Sequence, residues 1–339
     1  MTIKEIAQLA GVSTMTVSNV MNKKYSKVSK KTVEKVNKII EETHYIPNLS
    51  ARTLSAQSSK IVALLVPMVD SNIKGNFFAD PYTAQLVGIL ETNLRQRGYF
   101  AMIRSVTNVK ETCKFLNSWK IDGAIFILPN FDSQIDELMS KNDIPMVFID
   151  SLHYNPDTLS VNIPDYKGSY LATKYLINNG HKNIAFVSST LKDNPLLTLR
   201  YDGYRDALKE NNIELNDNNI IDQPISFEGG IEAGKIISDR KDITAAITTA
   251  DVVAIGIIDG ARLSGLRVPE DLSVIGYDNL TISKYCNPKL TTIDQHIVEK
   301  GEKAIDLLFD RIDKINELPN KLTVEVDIVE RQSVAKANL

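Results

Sequence analysis

TIKEIAQLAGVSTMTVSNVM, residues 2–21, reads as two short helices and the turn between them. Thr2 and Glu5 have the T-x-x-E spacing of a capping box, which starts a helix at Ile3 by satisfying amide donors that a helix start leaves unpaired. Ile6, Ala7, Leu9 and Ala10 are expected to form its apolar side. Gly11 should end it, because glycine enters the left-handed region without a Cβ clash. Ser13 reads as the N-cap of a second helix in which Val17, Val20 and Met21 recur at i, i+3, i+4 and face the first. Helix, glycine turn and helix in this order make a helix-turn-helix.

A third helix is expected after Ser29, its cap, with Val33, Val36, Ile39 and Ile40 inward and Lys30, Lys31, Lys35 and Lys38 outward. On that geometry Thr14, Met15, Thr16, Ser18 and Asn19 of the second helix face away from the small core. Hydroxyls and amides donate to phosphates or base edges, and Met15 can touch a thymine methyl. The charge agrees with this. The first 60 residues carry ten Lys/Arg against four acids, a net +6 joined to a remainder of −9. A basic head on an acidic body suits a polyanion-binding module attached to a separate globular unit; the alternative is an ordinary solvated face.

With KVSKKTVEKVNKIIEETHYIPNLSARTLS (27–55) added, the stretch resembles the DNA-binding head and hinge of the lactose-repressor (LacI/GalR) family of bacterial transcription regulators. The similarity runs almost without gaps through residues 2–55. It implies a helix-turn-helix domain at 1–46 and a hinge at 47–59. The DNA-facing set it implies is Thr2, Ser13, Thr14, Met15, Thr16, Ser18, Asn19, Asn22, Lys27, Ser29, Tyr45, Asn48, Ala51, Arg52 and Leu54. In such proteins the hinge folds when two copies meet in the minor groove, which would make Leu54 a wedge between base pairs; the unstacking is offset by the wider contact that a kinked duplex permits. Asn19 stands where many members carry arginine, and an amide pairs better with adenine than with guanine.

From Lys60 onward short apolar runs alternate with amphipathic stretches. IVALLVP (61–67), DGAIFIL (122–128), MVFID (146–150), NIAFVS (183–188), AAITTA (245–250) and LSVIGYD (272–278) suit strands buried on both faces of parallel sheets. AQLVGILETNLRQRG (84–98) and SYLATKYLINNG (169–180) read as helices closed by glycine. The alternation predicts an α/β architecture of doubly wound sheets.

GHKNIAFVSS (180–189), RYDGYRDAL (200–208), DVVAIGIIDGARLSGLRVPEDLSVIGYDN (251–279) and LTTIDQHIVEKGEKAIDLL (290–308) resemble the type I periplasmic-binding-protein fold that this family uses as its sensor. The resemblance implies two subdomains, 60–162 with 291–322 and 163–290 with 323–339. The chain would cross between them near Val161, Leu290 and Leu322. Ligand would bind in the cleft at the carboxyl ends of the strands. The motifs place Asp150, Arg200, Asp251, Asp278 and Gln295 there, with Phe78, Tyr82 and Phe227 as candidate aromatic faces. Carboxylates, a guanidinium fork and an amide suit a polyhydroxylated neutral ligand, a sugar. Asp251 could instead cap the following helix, and Arg200 could be a structural ion pair. Ala250 stands where many members have asparagine, and the loop VDSNIKGNFFADPY (69–82) is longer than usual, so no particular sugar is implied.

The resulting expectation is a ligand-responsive repressor that binds operator DNA as a homodimer, with a nucleoside or purine co-repressor as the alternative effector. No metal, cofactor or catalytic role is expected. The sequence carries no P-loop, G-x-S-x-G elbow, GxGxxG turn or Cys/His cluster, and Cys113 and Cys286 read as reduced thiols. A solute-binding protein would need a signal peptide and no basic head. Glu5 and Gln8 interrupt any leader-like run, and no apolar run approaches the roughly 20 residues that span a bilayer, so a cytoplasmic location is expected.

Overall fold

The computed structural model describes residues 1–21, 24–44, 58–67, 77–106, 108–128, 135–153, 155–191 and 194–337, in two compact units, Met1–Ser59 and Lys60–Leu339. Asn22, Tyr45, Asn48, Ala51, Arg52 and Leu54 lie outside the described residues.

In the first unit α1 (Ile3–Ala10) opens on the capping box: Glu5 N donates to Thr2 Oγ1 at 3.3 Å and Thr2 N to Glu5 Oε2 at 2.8 Å. Gly11 closes it at φ 66°, its amide reaching the carbonyls of Ala7 and Gln8. Helix α2 (Thr14–Met21) begins where Thr16 N donates to Ser13 Oγ at 3.1 Å. Helix α3 (Lys30–Glu42) begins where Thr32 N donates to Ser29 Oγ at 3.3 Å. The core is Ile6, Ala7, Ala10, Val17, Val20 and Val36. Leu9 is a correction: it is 56 % exposed. At 3.6 residues per turn it falls roughly 100° from the stripe that Ile6, Ala7 and Ala10 define.

The second unit contains two six-stranded sheets. The first is built from β1 (Ile61–Pro67), β2 (Phe100–Val106), β3 (Gly123–Ile127), β4 (Met146–Ile149), β5 (Leu159–Asn162) and β11 (Lys321–Thr323), in the order β11-β5-β4-β3-β1-β2 and parallel throughout. The second holds β6 (Ile184–Ser188), β7 (Ile220–Asp222), β8 (Ala245–Thr248), β9 (Ser273–Asp278), β10 (Thr291–Asp294) and β12 (Asp327–Val329), in the order β12-β10-β9-β8-β6-β7. Only β12 runs antiparallel there. The central strands β3, β4, β6 and β8 are buried along their whole length, as their unbroken apolar runs require.

Helices α4 (Pro81–Gln96), α5 (Val109–Ser118), α6 (Ile135–Ser140), α7 (Asp165–Asn178), α8 (Pro195–Glu210), α9 (Phe227–Ser238), α10 (Asp251–Leu263) and α11 (Ile297–Ile312) connect the strands. Asp80 starts α4, accepting from Tyr82 N and Thr83 N, so the helix begins three residues before the apolar pattern does. Gly98 and Gly180 follow α4 and α7 at φ 73° and 92°.

One boundary is corrected. Residues 291–294 were expected to belong with the first subdomain, yet Thr291 to Asp294 pair in register with Ile275 to Asp278 of β9. The second crossing therefore comes after β10, at Gln295 and His296, not at Leu290. The following helix, α11, then packs on α4 and on the first sheet. Its buried stripe of Ile297, Gly301, Ala304, Ile305, Leu307 and Leu308 also contains Lys300.

Candidate functional site

On α2, Thr14 and Met15 stand fully exposed, Met15 at 69 %, while Thr16, Ser18 and Asn19 are half-buried. Thr2, Ser13, Lys27 and Ser29 are exposed too. The two cap hydroxyls are partly engaged: Ser13 Oγ lies 2.9 Å from Thr16 Oγ1, and Ser29 Oγ 2.8 Å from Thr32 Oγ1. Lys30, Lys31, Lys35 and Lys38 are all exposed along α3. The head thus presents hydroxyls, an amide and one thioether on a basic surface, groups that suit phosphate and groove contacts.

In the body, the carboxyl ends of β4 and β9 bring Asp150 and Asp278 to positive φ, 57° and 122°. Such backbone is costly for a residue with a Cβ and persists where surrounding bonds over-determine it. Here they do. Asp150 N donates to Val161 O at 3.2 Å, and the carboxylate is held from both sides. Tyr82 of α4 donates its hydroxyl to Asp150 Oδ2. Lys300 of α11, wholly buried, places Nζ 2.8 Å from Asp150 Oδ1, 3.1 Å from the Tyr82 oxygen and 2.7 Å from Gln295 Oε1. Gln295 in turn donates Nε2 to Asp278 Oδ1.

This line of bonds joins the first sheet to the second. It continues into Asp251, whose amide approaches Asp278 Oδ2 at 3.4 Å. Asp251 does not cap α10 with its own carboxylate. Its Oδ2 accepts from Leu280 N at 2.8 Å and its Oδ1 from Thr292 Oγ1 at 2.5 Å, tying the helix start to the strand ends beside it.

Arg200 of α8 holds a second buried group. Its Nε donates to Asp165 Oδ1 at 2.7 Å and Nη1 to Thr249 O at 2.6 Å, and the guanidinium lies 3.8 Å from the centroid of the Tyr277 ring. A cavity of about 350 Å³ opens beside Asp278, bordered by Gln85, Asn279, Thr281, Asp294 and His296. The structure thus gathers Tyr82, Asp150, Gln295, Asp278 and Asp251 into one bonded set, with Arg200 in a second. Phe78 and Phe227 remain 50 % and 37 % exposed.

Lys300, Asp165 and Tyr277 escaped the sequence reading. Only Lys300 had a signal there: it sits at a core position of the i, i+3, i+4 apolar stripe of VEKGEKAIDLL, and a lysine on such a stripe must find acceptors or leave it.

Burial dominates the electrostatics. It raises Tyr82 well above the ordinary tyrosine range, with Asp150 adding to the effect. Burial raises Asp165, and the Arg200 charge opposes it. Burial pushes Asp251 up to about 7, against its bonds from Thr292 and Leu280, and raises Asp278 well above the carboxylate range with Asp251 adding to it. The folded chain therefore holds a proton on Asp251 more tightly than the unfolded chain does. Its ionisation costs stability above about pH 7, and that cost is relieved as the pH falls toward about 4. Asp251→Asn is expected to remove this dependence. Its stability gain over the parent, measured by urea denaturation, should be largest near pH 8 and shrink toward pH 5; a gap constant across that range would mean the carboxyl stays ionised.

Residues 2–48 match the family described as bacterial regulatory proteins, lacI family, and residues 173–334 match the periplasmic binding protein-like domain. The HTH-type transcriptional repressor PurR of Histophilus somni (strain 129Pt) is 34 % identical over 339 residues, covering 98 % of both chains. A lac repressor dimer bound to operator and the anti-inducer ONPF superposes with a TM-score of 0.85 at 25 % identity, over 99 % of each chain. The transcriptional regulator CelR in complex with cellobiose gives 0.72 at 28 % identity, over 98 % of this chain and 99 % of that one. Among the described residues no helix is long and apolar enough to cross a membrane, and no cluster of His, Cys, Asp and Glu could hold a metal. With a three-helix basic head, two largely parallel sheets facing a polar cleft and this full-length likeness, the chain belongs to the lacI family of bacterial regulatory proteins.

Proposed function

We propose that this protein is a DNA-binding transcriptional repressor whose operator affinity is set by a sugar bound between the two sheets of its body. The observation that carries the reading is the buried line from Tyr82 through Asp150, Lys300 and Gln295 to Asp278, because it links both subdomains at their strand ends. A ligand that offers hydroxyls to Asp150 and Asp278 competes for these bonds and so alters how the subdomains are held. DNA and effector affinities are then linked reciprocally. Action as a homodimer on a near-palindromic operator is supported by the relative solved as an operator-bound dimer. The sugar is supported by the cellobiose-bound relative. A nucleoside or purine is the second reading, and it follows the higher identity to the PurR repressor.

Fluorescence anisotropy with labelled promoter fragments from genes beside this one, with and without each ligand of a sugar and nucleoside panel, tests the proposal. One ligand class should change operator affinity by about 10-fold or more, the ordinary size of allosteric coupling. Operator affinity that is indifferent to every ligand would remove the effector-controlled reading.

A further inference from the structure

We infer that the cleft takes an uncharged, hydroxyl-rich ligand, reads its hydroxyls through Ser188 and Thr249, and rejects phosphorylated or carboxylated forms of the same molecule. This deepens the function proposed above and rests on the cleft being the effector site.

Strands β6 and β8 run parallel with Val187 opposite Thr248, so the next residues, Ser188 and Thr249, stand side by side at the carboxyl ends. Both are nearly inaccessible, 3 % and 2 % exposed, and neither hydroxyl has a hydrogen-bond partner among the described residues. A buried hydroxyl without a partner is unfavourable, and two adjacent ones point to a group that completes them. Their position fits a ligand. By the period of two along a strand they share a face with Phe186 and Ile247, the face that carries the core residue Tyr204 of α8. Arg200 lies one helical turn before Tyr204, above these strand ends, and donates to the Thr249 carbonyl.

The charges around the cleft argue against an anion. The Lys300 ammonium has three N–H donors, and Asp150, Tyr82 and Gln295 accept all of them. The Arg200 charge is matched by Asp165 at 2.7 Å. Burial already disfavours the ionised forms of Asp165, Asp251 and Asp278, and Asp80 and Asp294 add to this from nearby, so the cleft holds even its own negative charge at a cost. A phosphate seated beside Ser188 and Thr249 would meet these acids at low dielectric, while the buried cations Lys300 and Arg200 are already committed to Asp150 and Asp165. A neutral hydroxyl has uses throughout: it can donate to the second lone pairs of Asp150 and Asp278 and exchange bonds with Ser188 and Thr249.

Thermal-shift titration of the full chain with matched pairs tests this: ribose and ribose 5-phosphate, glucose and glucose 6-phosphate, cellobiose and cellobionate, adenosine and its 5′-monophosphate. The uncharged member of one pair should stabilise the protein, and its charged partner should bind about 100-fold or more weakly, as like-charge juxtaposition demands. Thr249→Val and Ser188→Ala should each weaken the active ligand by about 10-fold while the ligand-free melting temperature falls no lower, since each removes an unpaired buried hydroxyl. A charged member binding as tightly as its neutral partner would overturn the inference and leave the sugar reading in place. So would wild-type ligand affinity in both variants. An active nucleoside with a silent nucleotide would remove the sugar reading and keep the charge rule. Silence across every pair would remove both.

Discussion

Replacing Lys300 by methionine is expected to cost about 3–5 kcal/mol of folding stability, because it leaves a buried carboxylate without its counter-charge. Methionine fills much of the same length, so the loss reports charge and hydrogen bonding more than volume. Asp150 would keep only the Tyr82 hydroxyl, in a site where neither residue of the ion pair is more than 6 % exposed at its side chain. The test is a urea denaturation series that includes Asp150→Asn and the double variant Lys300→Met/Asp150→Asn. The double variant should recover most of the loss, since a buried pair replaced by neutral groups is often near neutral in stability. A loss below about 1 kcal/mol, the range of exposed pairs, would place Lys300 in contact with solvent.

Arg200→Ala should largely abolish the effector's influence on operator binding. Three features of the arginine disappear together: the fork to Asp165, the bond to Thr249 O and the cover over Tyr277. Effector affinity should fall by about 100-fold or more, the scale on which loss of a buried charge-assisted contact acts. Arg200→Lys keeps the cation but not the planar fork and should recover little of that affinity. Operator anisotropy across an effector titration measures both variants. A variant that responds at wild-type effector concentrations would move Arg200 out of the recognition machinery and leave it a purely structural partner of Asp165.

The head was almost wholly legible because its determinants are local. Thr2, Glu5, Gly11, Ser13 and Ser29 act within one helical turn of themselves, and each is found capping or closing as its chemistry requires. The miss, Leu9, came from placing it on one side with Ile6, Ala7 and Ala10 when the helix offers the core only one stripe. Six strands of the body, β1, β3, β4, β6, β8 and β9, were legible for a related reason: burial on both faces leaves continuous apolar runs with no alternation to confuse with a helix, a signal that β2, β5, β7, β10, β11 and β12 did not give.

The boundary at Leu290 was misplaced because nothing within TTID (291–294) says which sheet it joins. Register decided it, through the pairing of Thr291 with Ile275. The cleft divides in the same way. Strand-end carboxylates announced themselves through the motifs MVFID and VIGYD, whereas Ser188 and Thr249 are ordinary residues at the ends of apolar runs and become notable only when buried without partners.

Sequence alone determined the helix-turn-helix, the basic head, the alternation that makes an α/β body, and the carboxylates at its strand ends, since caps, periodicity and charge act over a few residues. Tertiary structure alone decided what those carboxylates meet. Lys300 reaches Tyr82 across 218 residues of chain and Asp150 across 150. An apolar stripe can say that position 300 is buried, but the identity of its acceptors depends on two sheets closing over one cleft, and a lysine can enter that interior only where such acceptors are already in place.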